Sequence, residues 1–141
     1  MKALTLWRPW TWAICHPSPK AKRVENRTWS PPRSLIGQDL AIHAGRRYDG
    51  ADACRFIARI LGELPPVQAH CREGIVAVAR LAGLRFPPSN DPWLVGPVGW
   101  LLDNVRVLPR PIACKGAQGL WTLPPDVEAE VRRRLATGGR P

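Results

Sequence analysis

The sequence predicts an α+β protein built on a curled or closed β-sheet. Several short β-prone runs are spread along the chain, and one segment near the middle has a clear helical period. The regular βαβ alternation of a doubly wound fold and its Gly-rich phosphate loop are missing from the sequence. Because the chain has 141 residues, 45% of them hydrophobic and 23% charged, we expect one domain over residues 1–136 and a frayed tail at 137–141.

The N-terminal segments predict a strand, a short helix and a second strand. Residues 3–6 are β-prone. Pro9 suits the first turn of a helix and Pro17 must follow its end, which predicts a helix over residues 9–15. The free N–H groups at the start of this helix form a natural anion site. Residues 23–29 follow as the next extended segment.

The next segments predict a strand over residues 39–44, a basic turn at 45–47 and the clearest helix at 49–61. In that helix, apolar residues recur at i, i+3, i+4, i+7 and i+8 and form one buried stripe. Asp49 is expected to cap the N-terminus of the helix and Gly62 to follow its end. This helix is interpreted as packing rather than chemistry.

The second half of the chain predicts long strands over residues 74–84 and 98–108, separated by a proline-rich loop. Asp103–Asn104 is expected to form a bulge or a turn within the second of these strands. A flexible loop at 115–119 leads toward a closing helix over 124–135, in which glutamates precede arginines in the favourable i, i+4 order.

The segment Lys22–Trp29 (KRVENRTW) concentrates charge on a single predicted strand. Side chains alternate across an extended strand, so its odd-numbered residues Arg23, Glu25, Arg27 and Trp29 share one face. Lys22 precedes the strand, where a turn can swing its long side chain back over that face. Two interpretations stay open: a surface ion-pair ladder worth about 0–1 kcal/mol, or a charged pocket that grips a polar or anionic ligand.

Composition points toward phosphate-bearing partners. The formal charge is +10, and a strongly basic protein attracts nucleic acid through counterion release. Seven tryptophans accompany a single tyrosine, and flat aromatic surfaces are what unpaired bases stack on. Many of these tryptophans are nonetheless expected to be core residues.

Metal and membrane classes are disfavoured by the sequence. The four cysteines lack the paired spacing of a zinc framework, although Cys15–His16 and His70–Cys71 leave convergence on a metal open. We expect no metal and no cofactor. The sequence has no leader-like apolar segment and no apolar run near 18 residues, so we expect a cytoplasmic protein with reduced thiols and no membrane contact.

Three stretches of the chain, residues 3–10 (ALTLWRPW), 22–29 (KRVENRTW) and 40–44 (LAIHA), carry a family resemblance. They closely resemble ASCH domains, the activating-signal-cointegrator homology domains of the PUA-like superfamily. The ASCH signature is G-x-K-x-x-E-x-R, which Lys22, Glu25 and Arg27 match, whereas Lys20 occupies the glycine position. Together with a similar Gly-Leu-Trp ending, the resemblance runs from residue 3 to about residue 123.

The resemblance implies a PUA-like β-barrel of mixed or antiparallel strands with peripheral helices, and a cleft with the signature residues at its floor. Roles on RNA or other nucleic acids are attributed to family members. Some small bacterial relatives are amidohydrolases that remove an acyl group from modified cytidine, and ribonuclease activity is described for others. In the amidohydrolases a threonine proposed as nucleophile stands where this chain has Glu25, and their lysine matches Lys22. A carboxylate replaces an activated hydroxyl poorly in acyl-enzyme chemistry.

Two function hypotheses follow. The first is a module that binds RNA or single-stranded DNA, or a modified nucleoside, with cations on phosphate and Trp7 or Trp10 stacked on a base. The alternative is a hydrolase in which Glu25 is the general base and Lys22 and Arg27 stabilise charge. His43 lies opposite the apolar face of its strand, where a solvent-facing or structurally bonded role is favoured over a catalytic one. The residues expected to contact ligand are Trp7, Arg8, Pro9, Trp10, Lys22, Arg23, Glu25, Arg27, Trp29, His43, Arg46 and Arg47.

Overall fold

The computed structural model describes residues 1–70 and 73–138 and shows an α+β protein with one six-stranded mixed sheet. The predicted α+β class is confirmed. Within the described residues, no helix combines the length and apolar character needed to cross a membrane. In chain order the elements are β1 (Lys2–Arg8), α1 (Trp10–Cys15), β2 (Val24–Arg27), β3 (Asp39–Tyr48), α2 (Ala51–Leu61), β4 (Gly74–Arg85), β5 (Val98–Ala113), β6 (Leu120–Thr122) and α3 (Pro125–Gly138).

The strand order across the sheet is β2-β5-β4-β3-β1-β6. β1 runs parallel to β3, and every other neighbouring pair is antiparallel. β2 and β6 are the two edges, and in the described part of the chain no strand pairing joins them. The sheet is therefore open in its hydrogen bonding, and the predicted closure into a barrel is left as a proposal.

β3 is longer than the sequence predicts. The basic turn predicted at 45–47 is wrong, because these residues continue the strand as far as Tyr48. Pairing with β1 explains the extension, since the register runs on to Arg8 opposite Tyr48. Gly45 permits the close approach of the two strands, because a Cβ there would lie 2.7 Å from Thr5 Cγ2.

α2 begins two residues later than predicted. Gly50, and not Asp49, occupies its N-cap, and no side chain caps this end. The Asp49 carboxylate instead accepts a hydrogen bond from Trp10 Nε1 at 2.7 Å. The predicted C-terminal position is confirmed, because Gly62 has a φ of +74° and its N–H bonds to Ala58 O.

The two last long elements run beyond their predicted ends. β5 continues to Ala113, and Asn104 has a φ of +45° next to a register shift against β4, which confirms the predicted bulge. α3 continues through Gly138, past the predicted end at residue 135. Of the predicted tail, residues 139–141 lie outside the described part of the chain.

Apolar residues cover both faces of the central strands. One cluster lies under the curled sheet and includes Leu6, Ile42, Leu81 and Trp100. A second cluster on the opposite face packs against α3 through Val131. A third joins α1, β2 and α2 to the loop that carries Trp93, and this cluster borders the candidate site described next: Ala13, Val24, Ile57 and Trp93 are its buried members.

Candidate functional site

Glu25 is held between two cations, as the alternation in β2 predicts. Lys22 Nζ lies 3.1 Å from Glu25 Oε1, and Arg27 Nε lies 3.1 Å from Glu25 Oε2. Lys22 is only 3% exposed, and its ammonium group also donates a hydrogen bond to Val24 O. Its backbone N–H bonds to Ala13 O in α1. The lysine side chain thus folds back over the strand from a position fixed by the first helix.

Arg27 links β2 to the strand on the other side of the opening. Its Nη2 donates to Thr5 O of β1 at 3.3 Å. β1 and β2 are not neighbours in the sheet, so this contact shows that the sheet curls until the two strands approach each other. The charged cluster therefore lies in the gap that the open sheet leaves.

Asn26 fixes a loop beside the cluster. Its Nδ2 donates to Trp93 O at 2.9 Å, and its Oδ1 accepts hydrogen bonds from the backbone N–H groups of Val95 and Gly96, both at 3.0 Å. Trp93 Nε1 donates to Lys20 O at 2.9 Å. These bonds place the Trp93 ring, which belongs to a proline-flanked loop, against the segment that precedes β2.

A cleft of about 530 Å³ opens over Glu25. Three aromatic rings form a continuous wall, since the Trp10 and Phe56 centroids are 5.9 Å apart and those of Phe56 and Trp93 are 6.0 Å apart. The remaining lining comes from β2, the start of α2 and the loop after Trp93: Lys22, Glu25, Asn26, Asp49, Asp52, Ala53 and Val95.

The charged groups that line the cleft are mainly acidic. Glu25, Asp49 and Asp52 oppose the single cation Lys22, in a protein whose formal charge is +10. Asp52 sits at the exposed rim and pairs with Arg55. Because the Lys22 ammonium group already contacts Glu25 and Val24 O, the cleft offers mainly hydrogen-bond acceptors to a ligand.

A second groove of about 290 Å³ adjoins the cleft. The two share Trp10, Glu25 and Asn26, so they form one continuous depression across β2. Trp7 and Arg27 line only the second groove. The groove thus runs from the acidic cleft toward the outer end of β1, where the surface carries arginines.

Two exposed aromatic rings near this end of the sheet each carry an arginine. The Arg47 guanidinium lies 5.0 Å from the Trp7 ring centroid, and that of Arg8 lies 5.6 Å from the Tyr48 ring. Arg8 Nη2 also donates to Arg46 O at 2.9 Å. Arg8, Arg46 and Arg47 therefore lie at the sheet end rather than in the cleft.

The structure places other predicted contact residues in supporting positions. Pro9 is the N-cap residue of α1. Arg23 Nη1 donates to Ile14 O and Lys22 O, and burial lowers the pKa of this guanidinium from its ordinary value. Trp29 packs edge-on against Trp100, with ring centroids 4.9 Å apart. None of these side chains is among those that line the cleft or the second groove.

His43, predicted to contact ligand, is fully buried and lines neither the cleft nor the second groove. Its Nε2 bonds to Cys114 O at 2.7 Å and its Nδ1 to Thr5 Oγ1 at 3.1 Å. Burial lowers the pKa of His43 from its ordinary value. The histidine is structurally bonded, and it ties β1, β3 and the segment after β5 together.

Several cleft residues were not singled out from the sequence as ligand contacts. Asp49 reads as a helix cap, Phe56 as part of a buried stripe, and Asn26 as a residue of the opposite strand face. The one signal available was Trp93, since a large aromatic residue within a proline-rich loop is unusual. The other positions come together only through the packing of α2 against α1.

The sequence left open whether Cys15–His16 and His70–Cys71 converge on a metal ion. In residues 1–70 and 73–138, no group of three or more His, Cys, Asp and Glu side chains is placed to hold a metal ion. Burial raises the pKa of Cys15 to about 12, so this thiol is inert at neutral pH. Cys71, of the second pair considered, lies outside the described residues.

Comparison with known proteins adds no relative: no family model matches the chain, and no curated protein matches it.

Proposed function

We propose that the protein binds RNA or single-stranded DNA by taking one base, nucleotide or modified base into the cleft over Glu25. The observation that carries the proposal is the cleft itself. Its wall of three aromatic rings faces the carboxylates of Glu25 and Asp49, in a protein whose formal charge is +10. Its volume of about 530 Å³ falls within the range of roughly 300–1,000 Å³ found for small-molecule sites.

The chemistry of the lining suits a base better than a phosphate. Trp10 and Trp93 provide flat surfaces for stacking, which is worth about 1–3 kcal/mol per base. Carboxylate oxygens accept hydrogen bonds from the N–H groups on the edge of a base. A phosphate would instead meet Glu25, Asp49 and Asp52 as like charges.

We also propose that the chain is an ASCH domain with a PUA-like fold. The matches of Lys22, Glu25 and Arg27 to the signature support this, and so does their contact with one another beside α1, with Lys22 and Glu25 in the cleft and Arg27 in the adjoining groove. The curl of the sheet that brings Arg27 to Thr5 O is consistent with a barrel-like arrangement.

A direct test is fluorescence anisotropy with labelled single-stranded RNA, single-stranded DNA and duplexes across a salt series. We expect single strands to bind, and Glu25→Gln and Lys22→Met to weaken binding by tenfold or more. The matched control is Glu130→Gln, because Glu130 is an ion-paired carboxylate on α3. Absence of binding at low salt, or equal losses in the control, would refute the proposal.

The second candidate is hydrolysis of RNA or of an acylated nucleoside, with Glu25 as general base. It is favoured by the position of Glu25 in the cleft with Lys22 Nζ 3.1 Å away, where the ammonium group could stabilise charge on a reacting oxygen. Against it, each Glu25 oxygen already lies 3.1 Å from a cation, which leaves fewer lone pairs to accept a proton. Incubation with RNA and acylated cytidines, followed by mass spectrometry, tests it: turnover that persists in Glu25→Gln removes Glu25 as the base.

A further inference from the structure

The second groove contains features that base capture in the cleft does not use. Trp7 lines this groove and is 45% exposed, which is unusual for so large an apolar side chain. Arg47 lies over its ring at 5.0 Å. A planar guanidinium next to an exposed indole can both stack on bases and pair with phosphate.

Arg27 supplies a second cation to the same groove. Its contacts with Glu25 and with Thr5 O use the Nε and Nη2 sides of its guanidinium. A guanidinium carries five N–H donors, more than these contacts occupy. The groove therefore has an aromatic wall and Arg27 in its lining, with Arg47 beside it over the Trp7 ring, whereas the adjoining cleft has an aromatic wall and a surplus of carboxylates.

This difference matters because the two depressions are continuous through Trp10, Glu25 and Asn26. A base in the cleft cannot place its own phosphate among three carboxylates without electrostatic cost. The second groove continues the cleft toward Trp7. A strand that leaves the cleft in this direction passes from a lining with three carboxylates to one in which Arg27 balances Glu25 and Arg47 lies beside Trp7.

We propose that the second groove is a subsite for the nucleotide next to the captured base, with its base on Trp7 and the joining phosphate at Arg27 and Arg47. The ligand is then a single strand of at least two nucleotides rather than a free nucleoside. This inference rests on the proposed function, since it needs a base in the cleft.

Isothermal titration with the four nucleosides, the four homodinucleotides and the four homohexanucleotides tests the subsite. At least one dinucleotide is expected to bind about fivefold or more tightly than its nucleoside, as one added base stack requires. Trp7→Ala should remove this gain, so that the dinucleotide loses far more affinity than the nucleoside does. Trp7→Phe should retain most of the gain, because it keeps an aromatic face.

Tyr48→Ala is the matched control. Tyr48 is 43% exposed and also carries an arginine, Arg8, over its ring, but it lines neither the cleft nor the second groove. We expect this variant to bind dinucleotides as the parent protein does. Thermal unfolding of each variant confirms that the fold is kept.

The inference and the proposed function fail in different ways. If nucleosides bind but dinucleotides bind no more tightly, the subsite does not exist and base capture stands. The subsite is also overturned if Trp7→Ala lowers nucleoside and dinucleotide affinity equally, or if Tyr48→Ala has the same effect as Trp7→Ala. If nothing in the series binds at low salt, the proposed function itself is overturned.

Discussion

At the scale of single residues, the three charges at the centre of the site are not equivalent. Lys22 is almost fully buried and, among residues 1–70 and 73–138, pairs with the Glu25 carboxylate alone, whereas Glu25 also contacts Arg27. Removing one partner of a buried pair leaves the other charge uncompensated, which is costlier than removing both. The order of destabilisation among variants follows from this asymmetry.

We therefore expect Glu25→Leu to destabilise the protein more than Lys22→Met. Glu25→Leu leaves a buried ammonium group that keeps Val24 O and the Trp10 ring face but loses its carboxylate, at a cost on the order of 3 kcal/mol. Lys22→Met keeps an unbranched chain in place and leaves Glu25 paired with Arg27. Urea denaturation measures the free energy of unfolding of both variants. The double variant should be more stable than Glu25→Leu alone. The reverse order of the single variants would contradict this account.

The buried His43 and the half-buried His70 predict how stability depends on pH. Burial lowers the pKa of His43 and of His70 from the ordinary value of 6.5. The unfolded chain therefore binds more protons than the folded protein once the pH falls below about 6.5, so the free energy of unfolding decreases from there toward lower pH. Each histidine contributes a slope of at most about 1.4 kcal/mol per pH unit.

Denaturation of the parent, His43→Gln and His70→Gln between pH 7.5 and 5 checks this expectation. Each substitution should reduce the slope, and the double variant should be nearly flat in this window. Carboxylates with a lowered pKa, such as Glu73 beside the Gly116 N–H, change the free energy of unfolding mainly below pH 4.5. They therefore add little to the slope between pH 7.5 and 5. If the slope is unchanged in both single variants, the two histidines are not the cause of the pH dependence.

At the scale of elements, the site depends on the loop at residues 93–96, which hydrogen bonds from the Asn26 side chain join to β2. Asn26 makes all three of its described hydrogen bonds to the backbone of the loop at 93–96. Gly96 fits tightly there, because a Cβ would lie 2.8 Å from Asn26 Cβ. The position of Trp93 in the cleft wall is thus set from β2.

We expect Asn26→Ala to free this loop and weaken ligand binding along with stability. Loss of the amide leaves backbone groups unsatisfied, at about 1–3 kcal/mol for each that stays buried. Asn26→Asp keeps the acceptor for two N–H groups and loses the donor to Trp93 O, so an intermediate effect is expected. Hydrogen exchange at residues 93–96 provides the measurement, and unchanged protection in Asn26→Ala would contradict it.

The sequence predicts features that depend on residues close together in the chain. It predicts poorly the features that depend on packing between distant segments. Alternation in β2 predicted the Glu25–Arg27 pair, and helical period predicted α2, because both depend on neighbours within a few residues. The turn predicted at 45–47 was wrong because parallel pairing with β1, set by residues 40 positions away, extends the strand. The sequence could not place Asp49 in the cleft, since its hydrogen-bond partner Trp10 lies 39 positions away in the chain.

At the scale of the whole molecule, the basic charge is partly neutralised by pairing away from the cleft. Arg80 pairs with Asp103, Arg106 with Asp39, and the arginines of α3 with Glu128 and Glu130. Exposed pairs of this kind add little stability. Their effect is on the electrostatic field, because they leave Arg8 and Arg47 at the sheet end more prominent, whereas Arg46 there pairs with Glu73.

A ligand that binds only the folded protein raises its unfolding temperature by mass action. At a free concentration of 100 times Kd the stabilisation is about 2.7 kcal/mol, which corresponds to a rise of several degrees. A single-stranded hexanucleotide should therefore raise the melting temperature of the parent and of Arg132→Ala, a control on α3, by clearly more than that of Glu25→Gln. Equal shifts in the parent and Glu25→Gln would place binding outside the cleft.

The connectivity of the sheet also sets the order in which it can assemble. β4 and β5 are joined by residues 86–97 alone and can pair early, whereas β1 reaches β3, and β2 reaches β5, only after much longer loops close. Trp10, Lys22 and Glu25 of the cleft come from those late-joining segments, so the cleft is incomplete until they join the loop that carries Trp93. A growing chain would therefore acquire its ligand site last, so occupancy of the cleft reports that folding is complete. Native-state hydrogen exchange should accordingly find the lowest protection in α1 and β2, and the highest in β4 and β5.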